Sequence, residues 1–414
     1  MTGVQTCALP ISANIRIAAL QLKATAAPAT PYFLNALDDP SFDYRAAALK
    51  LALPYFKPEQ TASWLKKLKN ADPPTQVILL HFLADANAQQ ALPAILKLTK
   101  SKDKGVRDAA IFTSGYLGQD EVLNNFLKNM NKADTLGLQV YSDAILKMKG
   151  TGITKSIGDA IPKAKPNVQV VLINILASKA AIAQSDVVFN ALSSTDLQVR
   201  NAAYTALKQL VSSNQLPQLY VLLNENKVPE QVNAVQAAII SALKTSDQKN
   251  QQVEDVLAKL KSSPEPQQAL YYPILASLGG LNALKSINEG FKNGNNEVKN
   301  AALNALSNWT NFEAAQSLIT IARTTKDDLF LNQAIKGYLK LVKTANLQAE
   351  QRLLCLRNAM KVVKAIAQKQ QILKDAEQAK VFNTLIFVSN YLNEPSLQQN
   401  AAITIMNKIG RAHV

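Results

Sequence analysis

Apolar residues recur along this chain at steps of three and four positions, which places them on one face of an α-helix. Residues 197–210 show the pattern clearly, and the preceding apolar segment 185–194 predicts a partner helix. The apolar stripe of residues 197–210 consists of Val199, Ala202, Ala203, Ala206 and Leu207. Because paired alanines let two helices approach closely, the pattern predicts packed pairs of helices.

Short polar breaks separate the predicted helices. Examples are residues 38–43, 101–103 and 194–196, which carry Asp, Ser and Pro. Such side chains accept hydrogen bonds from the free amide groups of the next helix. Prolines that suit a first helical turn stand at Pro31, Pro93 and Pro217. We therefore expect capped helices that begin directly after these breaks.

The helical pair is repeated along the chain. Its aligned positions are Arg16, Arg45, Gln76, Arg107, Gln139, Gln169 and Arg200, with spacings of 29, 31, 31, 32, 30 and 31 residues. The pattern continues near Asn233, Gln268, Lys299 and Gln333, loosens, and returns at Gln399. A period of about 30 residues over this length is typical of a solenoid, in which each pair buries its stripe against its neighbours. We predict an all-α fold, an α-solenoid of about 12–13 helical hairpins.

The phrase Asp-x-x-Val-Arg-x-Ala-Ala occurs at residues 103–110 and 196–203, and it resembles the signature of HEAT repeats. The resemblance covers essentially residues 13–408. It implies that Asp and Arg form a ladder between adjacent turns, so that Arg45, Arg107 and Arg200 hold turns together rather than bind a ligand. Units with glutamine at the arginine position lack the charge, and the ladder is expected to be interrupted there.

A second resemblance covers residues 305–342, which look like the terminal repeats of bacterial HEAT arrays. Such arrays often precede a 3-keto-disaccharide hydrolase domain, a glycosidase-like β-sandwich. The similarity rests on a turn at Trp309 and on the phrase Gly337-Tyr338-Leu339, although Thr310 stands where these arrays have proline. The hydrolase domain is not in this sequence. The resemblance implies an exported parent protein that works on carbohydrate outside the cytoplasm.

The two ends do not continue the repeat. Residues 1–12, MTGVQTCALPIS, lack the charged region and the apolar stretch of a secretion signal. They resemble a sequencing adapter translated in frame, and residues 409–414, IGRAHV, resemble the same adapter in the opposite sense. We expect both segments to be artefacts, and residues 13–408 to be an internal part of a longer protein.

The charge changes the picture only slightly. A net charge of +15 suggests nucleic-acid binding, but only eight of the 45 basic residues are arginine, which binds phosphate and guanine best. The lysines are spread out, apart from a modest cluster within residues 97–104. Nucleic acid is therefore disfavoured as a partner. No apolar run reaches the roughly 18 residues that a membrane span needs.

Candidate catalytic chemistry is scarce. Without the two ends, the chain has one cysteine, Cys355, and one histidine, His81, which cannot form a four-ligand zinc site. His81 lies in an apolar run and is predicted to pack in the core, and nothing supplies Cys355 with a partner base. Adjacent pairs such as Asp38–Asp39 and Asp327–Asp328 are expected in caps or turns, not as the facing carboxylates of a glycosidase. We predict no catalytic, cofactor-binding or metal-binding residue and no enzymatic activity.

These observations favour a non-catalytic binding scaffold, monomeric and without cofactor, that binds a protein or a carbohydrate-related partner. One alternative is an accessory region of a carbohydrate-active hydrolase, and another is a basic HEAT-like nucleic-acid-binding protein. Trp64 and Trp309 are predicted to pack in the core rather than to stack on ligands. The hydrolase resemblance implies a periplasmic or otherwise exported protein, and a cytoplasmic location is the alternative.

Overall fold

The computed structural model describes residues 13–25, 28–245 and 249–410. Within these ranges the chain forms α-helices joined by turns and short 3₁₀ segments, and it contains no strand. It divides into two compact units, Met1–Leu210 (unit 1) and Val211–Val414 (unit 2). The predicted all-α fold, a solenoid of HEAT-like helical hairpins, is confirmed. The segments 1–12 and 411–414, which include most of the proposed artefacts, lie outside the described residues.

Within its described residues, unit 1 consists of a single helix followed by six helical hairpins. Its helices are α1 (Ala13–Thr25), α2 (Thr30–Ala36), α3 (Phe42–Ala52), α4 (Thr61–Asn70), α5 (Pro73–Asp85), α6 (Leu92–Leu98), α7 (Lys104–Leu117), α8 (Asp120–Met130), α9 (Thr135–Lys147), α10 (Ile153–Ala160), α11 (Pro166–Ser178), α12 (Ser185–Ala191) and α13 (Leu197–Leu210). In each hairpin the even-numbered helix comes first. The second helices, from α3 to α13, pack against one another in chain order.

Unit 2 contains six further hairpins within the described residues. Its helices are α14 (Leu216–Glu225), α15 (Pro229–Lys244), α16 (Lys249–Ser262), α17 (Glu265–Gln268), α18 (Tyr272–Leu278), α19 (Leu281–Asn293), α20 (Asn296–Ser307), α21 (Ala315–Thr324), α22 (Asp328–Thr344), α23 (Ala349–Met360), α24 (Ile366–Asp375), α25 (Asn383–Ser389) and α26 (Gln398–Gly410). The second helices of these hairpins are α15, α17 with α18, α20, α22, α24 and α26. The number of hairpins agrees with the period in the sequence.

A constant interval of 31 residues organises the core of unit 1. Along the first helices, the buried side chains at this interval are Phe33, Trp64, Ile95, Phe126, Ile157 and Val188. Along the second helices, they are Ala48, Leu79, Ala110, Tyr141, Leu172 and Ala203. Each hairpin therefore presents the same two anchor positions to its neighbours, and a lone hairpin would leave them in water. We call this interval the 31-residue register.

Side-chain caps begin the second helices, as predicted. The carboxylate of Asp103 accepts a hydrogen bond from the amide of Val106 at 2.9 Å. The side chains that act in the same way are Ser41, Asp72, Asp134, Asp196, Asn295 and Asp327. Each cap satisfies one of the amide groups that a helix leaves free at its start.

The caps also correct one position of the sequence alignment. The amide of Leu138 donates to the carbonyl of Asp134 at 2.9 Å, as the amide of Arg107 donates to the carbonyl of Asp103 at 3.0 Å. Buried Leu138 is therefore the equivalent of Arg107, and Gln139 lies one position later, exposed to solvent. The uneven spacings of 32 and 30 residues around Gln139 thus become a constant 31 residues.

Two second helices of unit 1 approach closely at a glycine. A Cβ atom added to Gly115 in α7 would lie 2.5 Å from the carbonyl oxygen of Ala144 in α9. Gly105, in the first turn of the same helix, has more room, since its added Cβ would lie 3.3 Å from a carboxylate oxygen of Asp103 and 3.5 Å from Val77. The contact between α7 and α9 therefore requires a glycine at position 115 and not at position 105.

We expect Gly115→Ala to lower the free energy of unfolding by about 1–3 kcal/mol, because the added methyl group overpacks the contact between α7 and α9. The matched control is Gly105→Ala, which should be neutral or stabilising because alanine favours a helix by about 1 kcal/mol over glycine. Urea unfolding followed by circular dichroism measures both. Equal stability of the two variants would contradict the close approach at Gly115.

Candidate functional site

The arginines of the repeated phrase bond to the backbone of their own hairpin. A terminal nitrogen of each guanidinium donates to a carbonyl oxygen six residues earlier. The pairs are Arg45 to Asp39 at 2.8 Å, Arg107 to Ser101 at 3.2 Å and Arg200 to Ser194 at 2.5 Å. These carbonyl groups follow the end of the first helix, where the last carbonyls lack partners within the helix. We call this contact the carbonyl brace, and it ties the second helix to the turn before it.

Glutamine forms an equivalent brace in other hairpins. Its side-chain nitrogen donates to a carbonyl group five to eight residues earlier. The pairs are Gln76 to Leu68 at 3.0 Å, Gln169 to Ala164 at 3.1 Å and Gln268 to Ser263 at 3.2 Å. A neutral amide therefore replaces the guanidinium in this contact, and the loss of charge does not leave the turn unbraced.

The expected ladder of Asp and Arg is found only in part. Arg16 pairs with Asp39, and a guanidinium nitrogen of Arg45 lies 3.6 Å from a carboxylate oxygen of Asp72 in the next turn. Within the described residues, Arg107 forms an ion pair only inside its own helix, and Arg200 forms none. The ladder prediction is wrong for these two arginines, because their side chains bond to the carbonyl groups of the preceding turn instead.

An apolar groove lies between α3 and α5 on the solvent side of the second helices of unit 1. Its volume is about 250 Å³. The side chains that line it are Ala46, Leu49, Lys50, Leu53, Ile78, His81, Phe82 and Asp85. Lys50, His81 and Asp85 are exposed at the rim. The groove thus combines an apolar floor with a cation, an imidazole and a carboxylate.

His81 is not the core residue that its apolar surroundings in the sequence predict. It is exposed on α5 between the buried residues Leu80 and Phe82. Partial burial against its neighbours lowers the pKa of His81, and the negative charge of Asp85 opposes this shift. The imidazole is therefore mainly neutral at neutral pH, which suits contact with an apolar ligand. The sequence does not reveal which face of α5 is exposed, because apolar residues occupy both its buried and its exposed positions.

Aromatic side chains continue the groove onto α7. The rings of His81 and Phe112 meet edge to face, with centroids 5.7 Å apart. Lys50, His81 and Phe112 are separated by the 31-residue register, so they occupy one position in three successive second helices. Tyr116, one turn beyond Phe112, is 41% exposed. Aromatic and apolar surface with a few charges at the rim is typical of protein-binding sites.

The two tryptophans pack in the core, as predicted. Trp64 is 1% exposed, and its ring centroid lies 4.5 Å from that of Phe82. Trp309 is 3% exposed. Cys355 is half-buried, and its carbonyl oxygen accepts a hydrogen bond from the hydroxyl group of Tyr338 at 3.3 Å. Burial, and to a lesser degree the side chain of Cys355, raise the pKa of the Tyr338 hydroxyl.

The paired aspartates have structural partners, as expected. Asp39 accepts a hydrogen bond from the backbone amide two residues later at 2.9 Å, and Asp38 pairs with a lysine at 2.5 Å. Asp327 caps α22, and Asp328 lies 2.7 Å from the ammonium group of Lys364. Each of these carboxylates therefore has a role in a cap, a turn or a surface ion pair.

The described part of the chain contains neither a metal-ligating cluster nor a membrane-spanning helix. No group of three or more His, Cys, Asp or Glu residues there is placed to hold a metal ion. No helix in residues 13–25, 28–245 and 249–410 is both long enough and apolar enough to cross a membrane. Cys7 and His413 lie outside the described residues.

Comparison with known proteins identifies the fold. No family model and no curated protein matches the chain. Among solved structures, Kap121p bound to Nup53p aligns with a TM-score of 0.53 at 12% identity, over 96% of this chain and 52% of that chain. The karyopherin Kap121p bound to the extreme C-terminus of the protein phosphatase Cdc14p aligns with a TM-score of 0.52 at 12% identity, over 96% of this chain and 52% of that chain. Kap121p bound to RanGTP aligns with a TM-score of 0.50 at 13% identity, over 96% of this chain and 51% of that chain.

This chain therefore spans about half the length of the karyopherin chains that it matches. At this level of identity the similarity shows the fold alone. It agrees with the hairpins, caps and regular core described above: the chain is an all-α solenoid of HEAT-like repeats.

The carbonyl brace makes a specific prediction for Arg200. Arg200→Leu should lower the free energy of unfolding by about 1–3 kcal/mol, because the carbonyl group of Ser194 loses its charged donor. Arg200→Gln should recover about half of this loss, since glutamine forms the brace in other hairpins. Urea unfolding measures both variants. Equal destabilisation by leucine and glutamine would contradict the brace.

Proposed function

We propose that this chain is a non-catalytic, monomeric scaffold that binds protein partners through the solvent side of its second helices. The groove between α3 and α5 carries the proposal, because it offers apolar surface on a rigid helical frame. The fold lends support: in three of the matched structures Kap121p is bound to Nup53p, to a segment of Cdc14p and to RanGTP. In each of them a solenoid of this kind binds a protein.

The shape of the groove suggests how a partner is held. Its volume of about 250 Å³ suits one large apolar side chain rather than a folded surface. Leu49 and Leu53 provide apolar walls, while Lys50 and Asp85 can bond to the backbone of a bound segment at either side of that anchor. The adjacent rings of Phe112 and Tyr116 would add contact area along the segment. A short peptide with one apolar anchor is therefore the ligand that fits best.

A peptide display library tests the groove even though the natural partner is unidentified. Selection on the wild-type protein should enrich peptides that share a large apolar residue. Leu53→Asp should weaken their binding about tenfold or more, because the charge removes the apolar wall. The matched control is Leu146→Asp, since Leu146 occupies the same register position three hairpins later and is equally exposed at 38%.

The control should change binding by less than about threefold. Equal losses in Leu53→Asp and Leu146→Asp, or selected peptides that ignore both changes, would contradict the groove as the binding site. Failure to enrich any peptide would contradict the proposed binding function.

We further propose that the chain is the repeat portion of a larger, exported bacterial protein and an accessory to a carbohydrate-active hydrolase, with a carbohydrate-related partner. Support comes from the sequence resemblance of residues 305–342. In the structure this segment has structural constraints of its own, since a Cβ atom added to Gly337 would lie 2.4 Å from the hydroxyl oxygen of Ser307. Trp309 and Tyr338 are buried. The link to a hydrolase therefore rests on the sequence.

Cell fractionation tests this second proposal. An antibody against the chain should detect, in the source organism, a protein larger than this chain in the periplasmic or secreted fraction. The detected protein should be larger than this chain because the exported parent protein carries a hydrolase domain beside the repeats. A protein of the same size as this chain, or one confined to the cytoplasmic fraction, would contradict it.

A further inference from the structure

A row of lysines follows the solvent side of three successive first helices of unit 1. Lys66 in α4, Lys97 in α6 and Lys128 in α8 are separated by the 31-residue register and are exposed. Two positions before and after each lysine stands a buried residue, such as Trp64 and Leu68 around Lys66. Because residues two positions apart point to nearly opposite sides of a helix, this pattern turns all three lysines outward.

Among the described residues, no carboxylate pairs with any of the three ammonium groups. The ion pairs that use lysines of unit 1 engage other residues, namely Lys67, Lys104 and Lys155. The cap carboxylates that follow each lysine by six residues are occupied by helix amides. These caps are Asp72, Asp103 and Asp134. The three ammonium groups of the row therefore have no ion-pair partner in the described part of the chain, although the cap carboxylates form a row beside them.

A purely structural explanation accounts for only part of the row. Lysine near the end of a helix interacts favourably with the helix dipole, which requires no common register between helices. In the next two hairpins the same register position is occupied by Asp159 and Asn190. The repeat therefore folds without lysine at this position.

A polar cleft adjoins the first lysine of the row. It has a volume of about 720 Å³ and lies between the hairpin of α2 and α3 and the hairpin of α4 and α5. The polar and charged side chains that line it are Lys66, Ser63, Asn35, Asn70, Thr75 and the ion pairs Lys67–Asp38 and Arg45–Asp72. Amide and hydroxyl groups can bond to the backbone of an extended peptide, while Lys66 supplies charge at the same place. The cleft therefore places polar partners for a peptide backbone beside the first lysine of the row.

We propose that the row formed by Lys66, Lys97 and Lys128 binds an acidic, extended protein segment with a carboxylate at every third residue. Packed helices lie about 8–10 Å apart. An extended chain in the polyproline II conformation has three residues per turn and rises about 3.1 Å per residue, so every third side chain returns to the same face after about 9 Å, which matches one hairpin step. The inference rests on the proposed binding function, and it adds a second contact surface on the first helices.

The surroundings of the row favour a peptide over a nucleic acid. The caps Asp72, Asp103 and Asp134 form a parallel row of negative charge at the same register, which would repel a strand that carries a phosphate on every nucleotide. A peptide can place uncharged residues beside these caps. The aromatic side chains next to the row, Trp64 and Phe126, are buried and offer no platform for bases.

Fluorescence anisotropy with labelled peptides tests the row. The probe is a short peptide with glutamate at every third position, and its comparison peptide has the same composition with the glutamates contiguous. The variant Lys66→Glu/Lys97→Glu/Lys128→Glu should weaken binding of the spaced peptide about tenfold or more. The control variant Lys57→Glu/Lys147→Glu/Lys208→Glu changes the net charge equally at exposed lysines elsewhere in unit 1 and should change binding by less than about threefold.

Several outcomes would overturn the inference. If the control variant weakened binding of the spaced peptide as much as the row variant does, net charge alone would explain the attraction. If the contiguous peptide bound the wild type as tightly as the spaced peptide, the spacing of the carboxylates would not matter. Tighter, row-dependent binding of an oligothymidylate would assign the row to nucleic acid. Peptides selected on the groove between α3 and α5 should bind the row variant as they bind the wild type. Failure of the row would therefore leave the proposed scaffold function standing.

Discussion

The structure depends on one constraint: a helix cannot cover its own apolar stripe, so every hairpin must bury that stripe against its neighbours. The anchor side chains at the 31-residue register meet this need, and each fully buried Leu, Ile, Val or Phe among them contributes about 1.5–3 kcal/mol. Trp64, packed near Phe82, shows how a first helix seals against its second helix. The caps and the carbonyl brace then fix the turn between them, since both satisfy backbone groups that the short helices leave free.

The same register also arranges what faces water. Once the anchor positions are buried, the remaining positions of successive helices align in rows. On the second helices one such row contains Lys50, His81 and Phe112, three unlike side chains, and it lies beside an apolar groove. On the first helices the row of Lys66, Lys97 and Lys128 is uniform in charge. Binding by such an array is set by the composition of its rows, and no enclosed pocket is needed.

Much of this architecture can be predicted from the sequence. Helix periodicity, caps such as Asp103 and the buried stripe of α13 follow from local patterns, because each depends on residues three or four positions apart. His81 escapes prediction because a helix rich in apolar residues does not reveal its solvent face. Arg200 escapes because its long side chain can reach either a carbonyl group behind it or a carboxylate ahead, and spacing does not decide between them. Only the caps locate Leu138 correctly in the repeat.

The constant hairpin length of unit 1 has a consequence for the history of the gene. When every module has the same number of codons, recombination between two copies that are out of step adds or removes whole modules and preserves the junctions between them. Duplication can therefore lengthen the array by whole hairpins, and the packing between neighbouring hairpins stays the same. Rows on the surface would grow or shrink by one side chain in each such event, and the reach of the protein toward a partner could evolve independently of its core.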